Sequence, residues 1–129
     1  MMRCLLIAAS VLISAGSAHA SGTISCAGEA DVSVDLTIGS LPVLSVVTAS
    51  LSAGERSFST GAEAEQDAVI VGQAFREHDQ IRVDFTDPNV ERVVAELRLF
   101  EALEERDHAM AGTLRLIGQG AYALTCIGP

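Results

Sequence analysis

Residues 87–100 read DPNVERVVAELRLF, and the fold class turns on whether they coil or extend. Asp87 followed by Pro88 has the form of a helix start, with an aspartate cap and proline at the first helical position. Val90, Val93, Val94 and Leu97 then recur at helical spacing. The pattern fails one turn later, where Glu101 and Glu104 fall on the apolar face and Leu99 points away from it. Read with a period of two, Val93, Ala95, Leu97 and Leu99 share one side while Glu96 and Arg98 take the other. The second reading accommodates more of the sequence. It predicts a strand that turns at Glu104–Asp107 and returns through Met110, Thr113, Leu114, Leu116 and Ile117; a helix near 88–111, ending by Gly112, is the competing α+β reading.

Working outward, the rest of the chain is written in short alternating segments. Val32, Val34, Leu36 and Ile38 alternate with Ser33, Asp35 and Thr37, the pattern of a half-buried strand. Gly39 and Ser40 break it, and Pro42 opens a second expected strand, Val43 to Ser52, because proline suits a strand's first position. Ala53-Gly54-Glu55 predicts a turn into Arg56–Thr60, and the acidic, alanine-rich stretch 61–67 predicts the longest exposed loop. Ala68 to Phe75 is apolar on both faces, which predicts a strand inside the sheet rather than at its margin. A polar turn at Glu77-His78-Asp79 leads to Ile81, Val83 and Phe85, alternating with Arg82, Asp84 and Thr86. Gly118-Gln119-Gly120 precedes the last segment, Ala121 to Ile127. Seven to nine short strands at this spacing predict an all-β domain, a small antiparallel sandwich or barrel.

Residues 1–20 have the three parts of a bacterial-type export signal: Arg3, the apolar run Leu5–Ile13, and Ala18-His19-Ala20 as the cleavage site. Nine apolar residues rise only about 14 Å as a helix, against roughly 30 Å of hydrocarbon, so no stable membrane anchor is expected. Cleavage after Ala20 leaves 21–129 as a single domain in the periplasm or outside the cell. Cys4 is lost with the signal. Cys26 and Cys126 remain, with one possible intramolecular pairing in a compartment that oxidises thiols. A disulfide between the first and last strands would close nearly the whole domain, and the chain-entropy model assigns such a loop roughly 4 to 5 kcal/mol.

Charge narrows the partners. The sequence holds 17 acids against 8 bases, and loss of Arg3 leaves seven arginines, no lysine and a formal charge of −10. Nucleic acid is disfavoured, because phosphate binding draws on clustered cations.

No cofactor and no catalytic set is expected from the motifs. Asp84, Asp87, Asn89 and Glu91 offer oxygen donors for a hard cation, but Pro88 removes a backbone amide and no glycine provides the tight turn of a known calcium loop. The simpler reading of Asp87-Pro88-Asn89 is a turn or cap. His78 and His108 are the imidazoles of the mature chain, both beside expected turns, and no serine lies in a Gly-x-Ser-x-Gly setting. A glycan-cleaving carboxylate pair lacks the aromatic platform sugars stack on, since there is no tryptophan and one tyrosine, Tyr122. Gly118-Gln119-Gly120 lacks the third glycine of a nucleotide fingerprint. Arg82, Arg92, Arg98 and Arg115 alternate with acids and predict cross-strand ion pairs rather than an anion site.

These residues predict a binding or structural module that works through its acidic surface, one form being an inhibitor or adaptor of a cationic exported protein such as a lysozyme-like enzyme. Glu101, Glu104 and Glu105 are the acids to test for that role. The alternative from a different class is a small exported hydrolase or metal-dependent enzyme. Oligomeric state is not encoded legibly.

Overall fold

The computed structural model describes residues 22–62 and 67–129. The expected export signal over residues 1–20, the expected mature N-terminus Ser21 and residues 63–66 of the expected loop lie outside the described residues. The rest is built of nine strands: β1 (Gly22–Gly28), β2 (Val32–Ile38), β3 (Val46–Ala53), β4 (Arg56–Ser59), β5 (Ile70–Glu77), β6 (Gln80–Thr86), β7 (Val93–Glu104), β8 (Asp107–Leu116) and β9 (Gly120–Ile127). No α-helix occurs among the described residues.

Each strand pairs antiparallel with its neighbour in the chain, except that β5 does not continue from β4. The two resulting meanders, β1–β4 and β5–β9, join where β1 meets β9, giving the order β4-β3-β2-β1-β9-β8-β7-β6-β5. Nine is odd, so a ring of antiparallel pairs cannot close on itself without one parallel junction. That junction is a single bridge, Ser59 to Ala68, with the Val69 amide donating to the Ser59 carbonyl at 3.2 Å. The barrel is therefore nearly closed, with a seam between β4 and β5.

The contested stretch is a strand. Ala95, Leu97 and Leu99 are buried on the inner face, and β7 pairs residue for residue with β8 from Ala95–Leu116 to Glu104–Asp107. The helical alternative fails because only a period of two brings these three side chains onto one core. Its start signal has another use. Asp87 Oδ1 accepts hydrogen bonds from the amides of Glu91 and Arg92 at 2.8 and 3.0 Å, four and five residues on, and folds 87–92 into the connection between β6 and β7. The alternating segment Val32–Ile38 likewise puts Val32, Val34, Leu36 and Ile38 inside.

Two expectations need correction. Ala68–Phe75 was expected inside the sheet, yet β5 is its margin, with Ile70 and Phe75 exposed. Its second apolar face, with Ile70 and Phe75, is the exposed outer face of the barrel, and its free edge borders the seam. The strand expected from Val43 begins at Val46, because the Gly39 amide bonds the Ser45 carbonyl at 2.8 Å and pinches 39–45 into a loop. Leu41 and Val43, on that loop, are exposed.

Cys26 lies directly opposite Cys126 in the β1–β9 ladder, and the two are disulfide-bonded with their Cα atoms 4.0 Å apart. The terminal strands are thus joined as the two-cysteine count predicts.

Candidate functional site

The polar chemistry of the chain divides between the barrel's outer face and one of its ends. On the outer face Arg98 bridges neighbouring strands, at 2.7 Å from Asp84 on β6, and Glu96 takes Arg115 of β8 at 2.7 Å. Arg82 lies over the Phe75 ring at 5.7 Å. Arg98 and Arg115 are therefore the ion-paired surface residues expected from their alternation with acids. Asp84, the first of the proposed cation donors, is occupied by Arg98. Asp87 is turned toward backbone amides, chiefly that of Arg92, which hold its carboxyl below the ordinary aspartate value. The sequence cluster Asp84, Asp87, Asn89 and Glu91 is thus not assembled into a site, and no group of three His, Cys, Asp or Glu side chains gathers for a metal among the described residues.

The distinctive end carries the β5–β6 turn, the β7–β8 turn, the 39–45 loop, Gly22 and Pro129. Here β7 and β8 outrun their neighbours. The β6 ladder with β7 stops at Gln80–Phe100 and the β9 ladder with β8 at Met110–Cys126, whereas β7 and β8 continue pairing to Glu104–Asp107. A last tie comes from the Glu101 amide, which donates to the Asp79 carbonyl at 2.8 Å. Beyond it, Ala102 to Glu104 carry the hairpin roughly 10 Å further, at about 3.4 Å per residue. Leu103, Glu104, Glu105 and Asp107 are exposed at this tip.

Inside the mouth, at the base of the hairpin, three strands are tied by polar side chains. Glu101 continues the inward face of Leu97 and Leu99, and its two carboxylate oxygens meet Arg76 Nη2 of β5 at 2.9 Å and His108 Nε2 of β8 at 3.2 Å. His108 is thus brought to an acid, while its fellow candidate His78 stands in the exposed β5–β6 turn at φ +54°. A carboxylate that orients an imidazole is half of a hydrolytic relay. The hydrogen bond made by His108 is to Glu101, and the carboxylate's other oxygen is held by a guanidinium, so the arrangement as it stands is a clamp across β5, β7 and β8.

Beside this clamp a cleft of about 440 Å³ opens at the mouth, past the end of β4, between the 39–45 loop and the free edge of β5. Ile38, Leu41 and Val43 form one wall, Ala74, Phe75 and Arg76 the other. Arg76 faces the Glu101 carboxylate, which leaves Ile38, Leu41, Val43, Ala74 and Phe75 as the apolar side chains of the lining, and the same end of the barrel carries Glu77 at the end of β5, Asp79 in the turn that follows and the acids of the hairpin tip. None of Glu77, Asp79, Glu104, Glu105 and Asp107 forms an ion pair among the described residues.

Sequence reasoning located the acids of the tip but did not separate them. Glu101 was grouped with Glu104 and Glu105, whereas the inward alternation of β7 places it in the clamp. The projection of the hairpin and the cleft were missed altogether. A sign of the first was available: β7 and β8 hold longer uninterrupted segments than their neighbours. The cleft depends on which strands end the sheet, and no local pattern encodes that. No family model, curated protein or solved structure matches the chain.

Proposed function

We propose that the protein is an exported binding module that captures a cationic protein or peptide at the acidic end of its barrel, without turning over a substrate. The observation that carries this reading is the β7–β8 hairpin, which projects past both neighbours with Glu104, Glu105 and Asp107, three acids against the single base Arg106, free of ion pairs among the described residues. Charges at a projecting tip are the first to be met by an approaching partner, and opposite fields raise association rates by orders of magnitude at low salt. A narrow acidic hairpin also has the form needed to enter a basic groove, which supports the inhibitor or adaptor version, directed at a lysozyme-like enzyme. The export signal of residues 1–20, with cleavage after Ala20, and the Cys26–Cys126 disulfide both suit the periplasm or the exterior.

The test uses the mature 21–129 protein and a basic lysozyme as probe, with association followed in stopped flow across a salt series. Association should slow as salt rises, and Glu104→Gln, Glu105→Gln and Asp107→Asn together should slow it about tenfold at low salt. An association rate indifferent to salt and to the triple substitution would sink the proposal. The Glu101–His108 pair favours one other reading, a small hydrolase. Turnover of an ester or glycan substrate that disappears in His108→Ala would select it.

A further inference from the structure

The geometry points to the seam beside β5 as a strand-addition site for an extended segment of the partner in which basic residues alternate with large apolar ones. This inference rests on the acidic-end reading and specifies what that end recognises. β5 is the last strand of the sheet, and its far edge is met by the other meander through one bridge, at Ala68, before the strand begins. From Gln73 to Glu77 the strand pairs, among the described residues, with β6 on one side only. An unpaired edge of this kind is a template for another extended chain, and proteins usually blunt it with charge or a bulge. Here the register shift lies further back, between Val71 and Gln73, and the stretch leading to Arg76 is Ala74-Phe75.

The side chains at the seam match a segment of period two. A strand added beside β5 would send alternate side chains toward the cleft and away from it. The cleft offers apolar walls, with Leu41, Val43 and Phe75 still 62, 71 and 40% exposed, which is unusual clustering for a small acidic domain. Glu77 follows the lining residue Arg76 directly and Asp79 and the hairpin acids stand at the same end of the barrel, while the one cation in the lining, Arg76, is paired with Glu101. An anionic peptide would meet those acids unscreened. A second copy of this chain would bring a surface of the same sign. A segment of alternating Lys or Arg and Leu-sized residues satisfies both the apolar walls and the charged rim.

The experiment compares two fluorescent hexapeptides of equal charge, one alternating Lys and Leu and the other Lys and Ser, by anisotropy against the mature protein at physiological salt. Burying one leucine should tighten the Lys/Leu peptide at least about tenfold relative to Lys/Ser. That gain should vanish in the Leu41→Ser/Val43→Ser double variant, whose substitutions fall on an exposed loop and spare the core. It should vanish as well when one of the two alternate sets of peptide amides is N-methylated, each set being tried in turn, because the set facing β5 then no longer donates and its methyl groups block the approach. Neutralising the hairpin acids should weaken both peptides alike. Equal affinity for the two peptides overturns the seam site while leaving electrostatic capture standing, and failure of both peptides to bind removes the two readings together. A Lys/Leu advantage that survives both the loop substitutions and N-methylation also overturns the seam site. So does a dimer, seen in sedimentation, that is dissolved by the loop substitutions and not by the peptide.

Discussion

Asp87 shows how one carboxylate can decide a connection. Its Oδ1 accepts from the amides of Glu91 and Arg92, its carbonyl accepts from the Val90 amide at 3.0 Å, and its own amide donates to the Arg92 carbonyl at 3.2 Å. The loop closed in this way holds Val90 at φ +58°, a left-handed conformation that a β-branched residue adopts only under constraint. Hydrogen bonds to the ionised form lower the Asp87 pKa below 3.8, the Arg92 amide contributing most. A folded pKa below the unfolded one contributes stability at pH values above the unfolded pKa, and that contribution is lost as pH falls through the folded pKa. Asp87→Asn should therefore flatten the acid limb of a melting-temperature profile between about pH 5 and pH 2 relative to wild type. Parallel profiles for the two proteins would show that the carboxylate does not support the loop. The same residue explains why the sequence was ambiguous here, since a cap and an Asx loop both begin with an aspartate accepting amides ahead of it.

At the scale of elements, the β7–β8 hairpin is where sequence and structure agree most fully and where packing is least forgiving. Its inner residues were legible because Ala95, Leu97 and Leu99 alternate with Glu96 and Arg98, a pattern with one helical competitor that Leu99 itself excludes. Gly112 was read only as the possible end of that helix, whereas it pairs with Leu99 in the ladder. A Cβ placed there would overlap the Arg98 carbonyl and backbone, so β7 and β8 approach more closely at this pair than any other residue permits. Gly112→Ala should consequently lower stability by about 1 to 3 kcal/mol, measured by urea unfolding, through a forced shift of β7. An unchanged midpoint would mean that the two strands separate without cost. β5 illustrates the opposite limit. Its apolar residues on both faces are what a central strand would carry, and only the order of the whole sheet reveals that the strand lies at the margin with one of those faces exposed.

For the whole molecule, the shortest ladder between strands of the sheet is the one the disulfide crosses. Each meander is held by ladders between neighbours in the chain, such as the seven paired positions of β1 with β2. The meanders themselves meet through the single Ser59–Ala68 bridge and through β1 with β9, where only Ser25–Ile127, Cys26–Cys126 and Ala27–Thr125 pair. The bond therefore sits at the middle of a three-position ladder, and it closes a loop with a sequence separation of 100. In the chain-entropy model such a loop contributes about 4 to 5 kcal/mol, comparable to the net stability of a small domain. Replacing Cys26 and Cys126 with Ser should accordingly lower the melting temperature by well over 10 °C, at about 4 to 8 °C per kcal/mol. The position of the bond also dictates where loosening starts. In the reduced wild-type protein, hydrogen exchange should accelerate first at the Ser25, Ala27, Thr125 and Ile127 amides, while the β6–β7–β8 ladders keep their protection, because opening β1 from β9 leaves both meanders paired internally. Uniform acceleration across all nine strands would instead show that the barrel unfolds as one unit and that the joint has no separate stability.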